Sequence, residues 1–206
     1  MNISTVRSPF AAWVVAAALV LPAQIACSRA ADATADRQSG GDPTATPIDT
    51  DVMAFLSAAR ALHHEADLRE DQRDLKGAIA AMDHLVRLPQ PHPGVRVVEI
   101  EEVLADAYAR MAELRLRDGD VATALRDVDT GIEHAQDPTY FRGHLLEVEG
   151  IVEKARAAAF ADAGNAAEAD RARERAIGLL DEAVRVQEQV ITKTLGDAGA
   201  ANGGGH

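Results

Sequence analysis

From residue 50 onward, apolar residues recur at helical spacing. Val52, Phe55, Leu56, Ala59, Leu62 and Ala66 form one run, and Leu75, Ala78, Ile79, Met82 and Leu85 a second. A helix turns once every 3.6 residues, so each run gathers its apolar side chains on a single face. PQPHPG at 89–94 then breaks the period with three prolines that cannot donate a backbone hydrogen bond. Ile100, Val103, Leu104, Ala107, Tyr108, Met111 and Leu114 resume it as a third helix. Asp118-Gly119-Asp120 marks a corner: Gly119 can take the left-handed conformation that ends a helix, and Asp120 can cap the next. Val121, Ala124, Leu125, Val128 and Ile132 carry a fourth helix toward Asp137-Pro138, where Asp137 is expected to cap the fifth and Pro138 to open it. The fifth follows Phe141, Leu145, Val148, Val152, Ala155 and Ala159. After a second corner at Gly164-Asn165, the inward face of a long sixth is expected to run through Ala169, Ala176, Ile177, Leu180, Val184 and Ile191. No run alternates strictly as a half-buried strand would, so the expected fold class is all-α.

The corners themselves recur. Aligned as DLKGAIAAMDHLV, DVATALRDVDTGI and NAAEADRARERAI, the segments place an alanine at 78, 124 and 169, a spacing of 46 and then 45 residues. Twelve positions before these stand Ala66, Ala112 and Ala157, and seven positions after stand Leu85, Gly131 and Ala176. In this pattern the chain resembles tetratricopeptide-repeat proteins, in which small residues at these places let paired helices approach closely. The resemblance covers roughly residues 51–193 and implies six antiparallel helices as three stacked hairpins. The period exceeds the family's usual length. The first-helix positions that hold large apolar residues in the family are occupied here by Leu62, Tyr108 and Glu153, and by Glu65, Met111 and Arg156. The alternative arrangement is an irregular six-helix bundle with no constant rotation from pair to pair.

Ahead of the helical part, MNISTVRSPF leads into AAWVVAAALVL, an eleven-residue apolar segment with Arg7 before it and Pro22 behind. That is the layout of a secretory signal, and too short for a membrane span, which takes about 20 residues. Cys27 follows in QIACS and resembles the acylated cysteine of a bacterial lipoprotein signal, with Gln24 departing from the apolar residue usual three places earlier. The resemblance implies residues 1–27 as the signal and Cys27 as the lipid attachment point; cleavage after Ala30 is the rival. Residues 28–49 mix Ala, Asp, Thr, Gly and Pro without an apolar period, which is the composition of a disordered tether. A flexible chain of about 20 residues reaches roughly 25 Å. The helical-repeat domain is expected over 50–195 and a disordered tail over 196–206.

Composition narrows the function classes. The net charge is −12, so nucleic acid is not an expected partner. Alanine is about one residue in five, a composition that favours helix. Cys27 is the single cysteine, which leaves no thiol nucleophile and no internal disulfide in the helical part. His63, His64, Glu65 and Asp67 lie together, with His63 and Asp67 one helical turn apart and His84 on the next helix. The spacings usual for zinc are missing, and solvated or core-edge histidines are the expected reading, with no metal and no cofactor. Glu99, Glu102 and Asp106 read as a solvated face near a helix start, where the dipole stabilises acids. Alternating charge in DRARER at 170–175 is a surface pattern. No nucleophile elbow, P-loop or dinucleotide fingerprint is present, and the chain is not expected to be an enzyme.

The tetratricopeptide resemblance implies a concave side built from the first helix of each hairpin. Carried over position by position, its lining is Arg60, His63, Asp67 and Glu70, then Asp106, Glu113, Leu116 and Arg117, then Lys154. These residues imply a groove for a protein or peptide of unknown identity. The expected role is an exported, envelope-associated adaptor, held at the membrane by a lipid on Cys27. The alternative is a self-associating envelope protein whose last helix pairs with another copy through Leu179, Val186 and Val190.

Overall fold

In the computed structural model, residues 49–203 are described, with side chains to residue 196. The proposed signal, Cys27 and most of the tether lie outside the described residues. Six helices follow in order: α1 Thr50–Asp71, α2 Leu75–Val86, α3 Val98–Arg117, α4 Val121–His134, α5 Tyr140–Asp162 and α6 Ala166–Gly203. Among the described residues there is no strand, and no helix is long and apolar enough to cross a membrane.

The backbone of the hairpin corners repeats from one hairpin to the next. Arg73, Gly119 and Gly164 occupy the left-handed region with φ of 60°, 85° and 77°. After each, the next amide reaches back to a carbonyl five residues earlier: Asp74 to Arg69, Asp120 to Arg115, and Asn165 to Phe160, at 2.8, 2.9 and 2.9 Å. This closure satisfies carbonyls that the helix end would otherwise leave bare. Asp74 and Asp120 then cap the second helices, accepting from the amides of Gly77 and Thr123 at 2.9 and 3.0 Å. The α5 start differs from expectation. Thr139, not Asp137, caps it by accepting from the Arg142 amide at 3.4 Å, and Pro138 lies outside the helix. Gln136, Asp137 and Pro138 are spent crossing from α4 to α5, so the first side chain able to turn back onto the new helix is the threonine.

Contacts follow chain order. Within each hairpin the two helices pack on each other; α2 also packs on α3, α4 on α5, α1 on α3 and α3 on α5. The arrangement is helical-repeat-like: each hairpin covers the open side of its predecessor. One core lies between the first hairpin and α3, around Met82, Leu85, Leu104 and Leu114; another lies between the second hairpin and α5, around Val128, Leu145, Val148 and Val152. Burying one such side chain contributes about 1.5–3 kcal/mol. The six recurrent alanines, Ala66, Ala78, Ala112, Ala124, Ala157 and Ala169, are all at most 2% exposed. Gly131 shows why small residues stand here, since a Cβ on it would come within 2.6 Å of Leu145 Cδ2 and 3.0 Å of Tyr108 Cβ.

The third hairpin is built differently. Its core is thin, with Leu146, Leu179, Ala183 and Val186 at the centre. At the positions where the repeat pattern calls for apolar bulk, Glu153 is buried and Arg156 reaches back to it at 3.2 Å. Glu149, one turn earlier, is also buried. Arg175 of α6 serves both carboxylates, at 2.7 Å to Glu149 and 3.2 Å to Glu153. These bonds hold its guanidinium pKa above the usual value, the hydrogen bond to Glu149 contributing most. The sixth helix also departs from its expected face. Ala169, Ala172, Ala176, Ala183 and Val186 turn inward, whereas Ile177, Leu180, Val184 and Ile191 are exposed. A gap that closes around glycine and alanine admits the small stripe and turns Ile177, Val184 and Ile191 out, while Leu180 still lies over Gly150. The helix extends to Gly203, into the stretch read as a tail from residue 196.

Candidate functional site

The first helices α1, α3 and α5 line an open groove of about 540 Å³ near their N-terminal halves. Met53 and Leu56 of α1, Val103 of α3 and Phe141 of α5 give it an apolar lining. Arg60 and His63 of α1 and Asp106 of α3 supply its polar groups. All three belong to the set expected from the sequence. His63 Nε2 lies 3.7 Å from Asp106 Oδ2. Burial pushes the His63 pKa below the usual histidine value, with Asp106 and Asp67 pulling the other way and Arg110 adding to the fall. Uncharged near neutral pH, His63 leaves Arg60 and Asp106 as the opposed charges of the groove.

Four further expected residues gather elsewhere, around Arg110. Its guanidinium contacts Asp67 at 3.4 Å, Glu113 at 3.4 Å and Glu70, and Arg117 also reaches Glu70. This network clamps the C-terminal halves of α1 and α3, and each carboxylate already has a cation. The exposed pairs of this network contribute roughly 0–1 kcal/mol each, while Glu70 at its centre is largely buried. Leu116, expected to be exposed in the lining, instead packs partly buried against the second core. Lys154 stands apart on α5, beside an apolar groove of about 440 Å³ that it shares with Arg173, Ile177 and Leu180 of α6.

The sequence reading missed the lining and the hub. Leu56 and Val103 fit the helical period and so read from the sequence as core; Met53 falls outside it. Arg110 stands one turn after Asp106 and three residues before Glu113, a spacing that does mark a shared face. Its partners on α1 are visible only once the two helices are placed side by side.

Two other clusters have little room for a ligand. At the far end of the second hairpin, His134 Nδ1 lies 2.9 Å from Glu101 Oε2, its ring stacks on Tyr108 at 5.6 Å, and Arg96 donates to the His134 carbonyl at 2.7 Å. The space beside them is about 40 Å³, the size of a water or two. Between α5 and α6, a cleft of about 160 Å³ is ringed by Arg156, Arg171 and Arg175, each matched by Glu153, Glu168 or Glu149. It therefore offers an anion no surplus charge. Among the described residues, no group of three His, Cys, Asp or Glu side chains is placed to hold a metal. No protein-family model matches the chain, and no curated protein and no solved structure matches it either.

Proposed function

We propose that the chain is an exported, envelope-associated helical-repeat protein of tetratricopeptide-like type that binds a protein or peptide, rather than an enzyme. The observation that carries this reading is the groove of about 540 Å³ across α1, α3 and α5, apolar along Met53, Leu56, Val103 and Phe141 and flanked by one base and one acid. A short segment laid across such a lining buries an apolar side chain and answers Arg60 and Asp106 with groups of opposite sign. That combination of an apolar centre and sparse orienting charges is how grooves on helical scaffolds recognise peptides. The tether and a lipid on Cys27 would hold the groove within a short reach of the membrane.

Two experiments test it. Displayed random peptides selected on the full-length chain should share an apolar residue flanked by an acid, and should lose binding to Leu56→Asp and to Arg60→Glu. Selection that yields no peptide sensitive to either change would remove the groove from the function. For location, the intact mass of chain extracted from bacterial envelopes should carry a diacyl or triacyl adduct that Cys27→Ala lacks. An unmodified mass ending at a cleavage after Ala30 would make the protein exported but unanchored.

A further inference from the structure

Among the described residues, one apolar helix face is left largely uncovered, with only Leu180 reaching back to α5 over Gly150. Along α6, Ile177, Leu180, Val184, Ile191 and Leu195 are 61, 39, 58, 58 and 68% exposed. Their steps of three, four and seven residues put them in a single stripe. At 1.5 Å per residue the stripe runs roughly 27 Å, and across a helix about 10 Å wide it amounts to a patch of some 300 Å², a size at which exposed apolar surface marks an interaction site. It lies beside the face that packs on α5: Ala176, Ala183 and Val186 point inward, while Ile177 and Val184 point out. Leu179, Val186 and Val190, the residues expected to pair with another copy, are therefore on the wrong side, since Leu179 and Val186 pack with Leu146 and Val190 is half-buried.

The same helix outruns its support. Gln187 donates to the carbonyl of Tyr140, the first residue of α5, at 3.2 Å and Val190 is still half-buried, so α6 beyond Val190 continues past the end of the helix that, among the described residues, it packs on. A free helix of that length is marginal in water. The apolar stripe does not stop where α5 does, because Ile191 and Leu195 prolong it along the overhang.

We propose that the occupant of this face is α6 of a second copy, packed parallel to it about a two-fold axis. Two observations select this arrangement. First, Ile177, Val184 and Ile191 are β-branched and spaced by seven, with Leu180 between the first two, which is the side-chain choice that favours two parallel strands in a coiled coil. Second, the exposed carboxylates along the stripe favour one direction, although Arg173 and Arg185 stand near its edges. Glu174, Asp181 and Glu188 are exposed along one edge of the stripe, and the other edge, beside Ile177 and Leu180, carries Lys154 of α5. A two-fold axis parallel to the helices sets the acidic edge of each copy against the basic edge of the other, with Lys154 facing Asp181 and Glu174. An antiparallel pair would set the two acidic edges against each other. The parallel pair also lays the two overhangs side by side, so each supplies the support that α5 no longer gives. The inference rests on a different surface from the peptide groove.

Cysteine cross-linking in the full-length chain tests the arrangement, because Cys27 is the sole cysteine and Cys27→Ser gives a thiol-free background. Ile177→Cys, Val184→Cys and Ile191→Cys are introduced one at a time and oxidised under mild conditions, with exposed Ala122→Cys on α4 as the collision control. A parallel pair yields disulfide dimers at all three positions, since each residue meets its own counterpart. Dimer at 184 alone indicates an antiparallel crossing and overturns the proposal, as does a yield no higher than the control throughout. Lys154→Glu should then weaken dimerisation of the Val184→Cys chain roughly five- to tenfold, and adding Asp181→Lys should restore it. Loss without restoration, in a chain whose circular dichroism is unchanged, would show that these charges do not face each other.

Discussion

Two glycines in helix interiors allow a matched experiment on why this stack tolerates so few large residues. At Gly178 of α6 an added Cβ meets nothing within 4 Å, whereas at Gly131 of α4 it falls 2.6 Å from Leu145 Cδ2 and 3.0 Å from Tyr108 Cβ. Alanine in place of glycine favours an interior helical position by about 0.8–1.0 kcal/mol. Gly178→Ala should collect that gain in full. Gly131→Ala collects the same gain but forces a methyl group against Leu145, which is fully buried and cannot swing into solvent. Overpacking of this kind costs about 1–3 kcal/mol, so the net change should run from near zero to about 2 kcal/mol of destabilisation. The quantity to measure is the difference between the two substitutions, about 1–3 kcal/mol, by urea unfolding followed through helical circular dichroism, with unchanged slopes confirming that the denatured states compare. If Gly131→Ala stabilises the protein as much as Gly178→Ala does, the second and third hairpins are not in the close contact described here.

Three further outcomes are expected. Arg73 holds a left-handed conformation that costs a side chain about 1–2 kcal/mol, partly offset because glycine orders more backbone on folding; Arg73→Gly should therefore stabilise by roughly 0.5–1 kcal/mol, and a loss of stability would contradict the strained corner. Arg175→Ala leaves Glu149 without its cation and Glu153 with Arg156 alone, and breaking a buried pair costs about 3–5 kcal/mol, somewhat less here because the arginine is solvated on one side; unfolding within 1 kcal/mol of the parent would show that the carboxylates are not dry. The His63 pKa is lowered in the folded protein, so the unfolded chain takes up its proton at higher pH, and the associated stability is complete above about pH 6.5 and lost as pH falls below it. His63→Gln should flatten that acid-side loss, and a His63 titration by NMR that falls above 6.5 would reverse the sign.

Much of this architecture can be read from spacing alone. Stripes such as Val52-Phe55-Ala59 and Leu104-Ala107-Met111 belong to helices buried on one side, where period and burial carry the same information. Gly119 and Asp120 mark a corner because their conformational roles are local. Arg73 marks an equivalent corner without any such sign, since only the surrounding hydrogen bonds compel an arginine into that conformation. The reading failed where two stripes share one helix. On α6 an alanine stripe and an Ile/Leu/Val stripe both follow the helical period, and hydrophobicity favours the bulkier one for the interior. The decision is instead steric: Gly143 and Gly150 on the α5 face opposite bring the two helices so close that a Cβ at either would strike Gln187 or Leu180, so Ala176 and Ala183 fit between them and, of the bulky stripe, Leu180 alone reaches α5. The groove was legible only in part for a similar reason. Arg60, His63 and Asp106 could be placed by register, but Met53, Leu56, Val103 and Phe141 come together from three helices. Asp67 and Glu70 gather instead on Arg110, 43 and 40 residues further along the chain, where Glu113 and Arg117 join the same network.

Because, among the described residues, each helix touches only those within two places of it along the chain, the helical part has no long-range closure to complete before it can fold. Its interactions are local in the sense that speeds folding, and they are also divisible. A lineage could lengthen or shorten such a protein by one unit of about forty-five residues without redesigning the remainder. The end unit, with its thin apolar interior and its reliance on Arg175, would be the first to fray and the easiest to exchange.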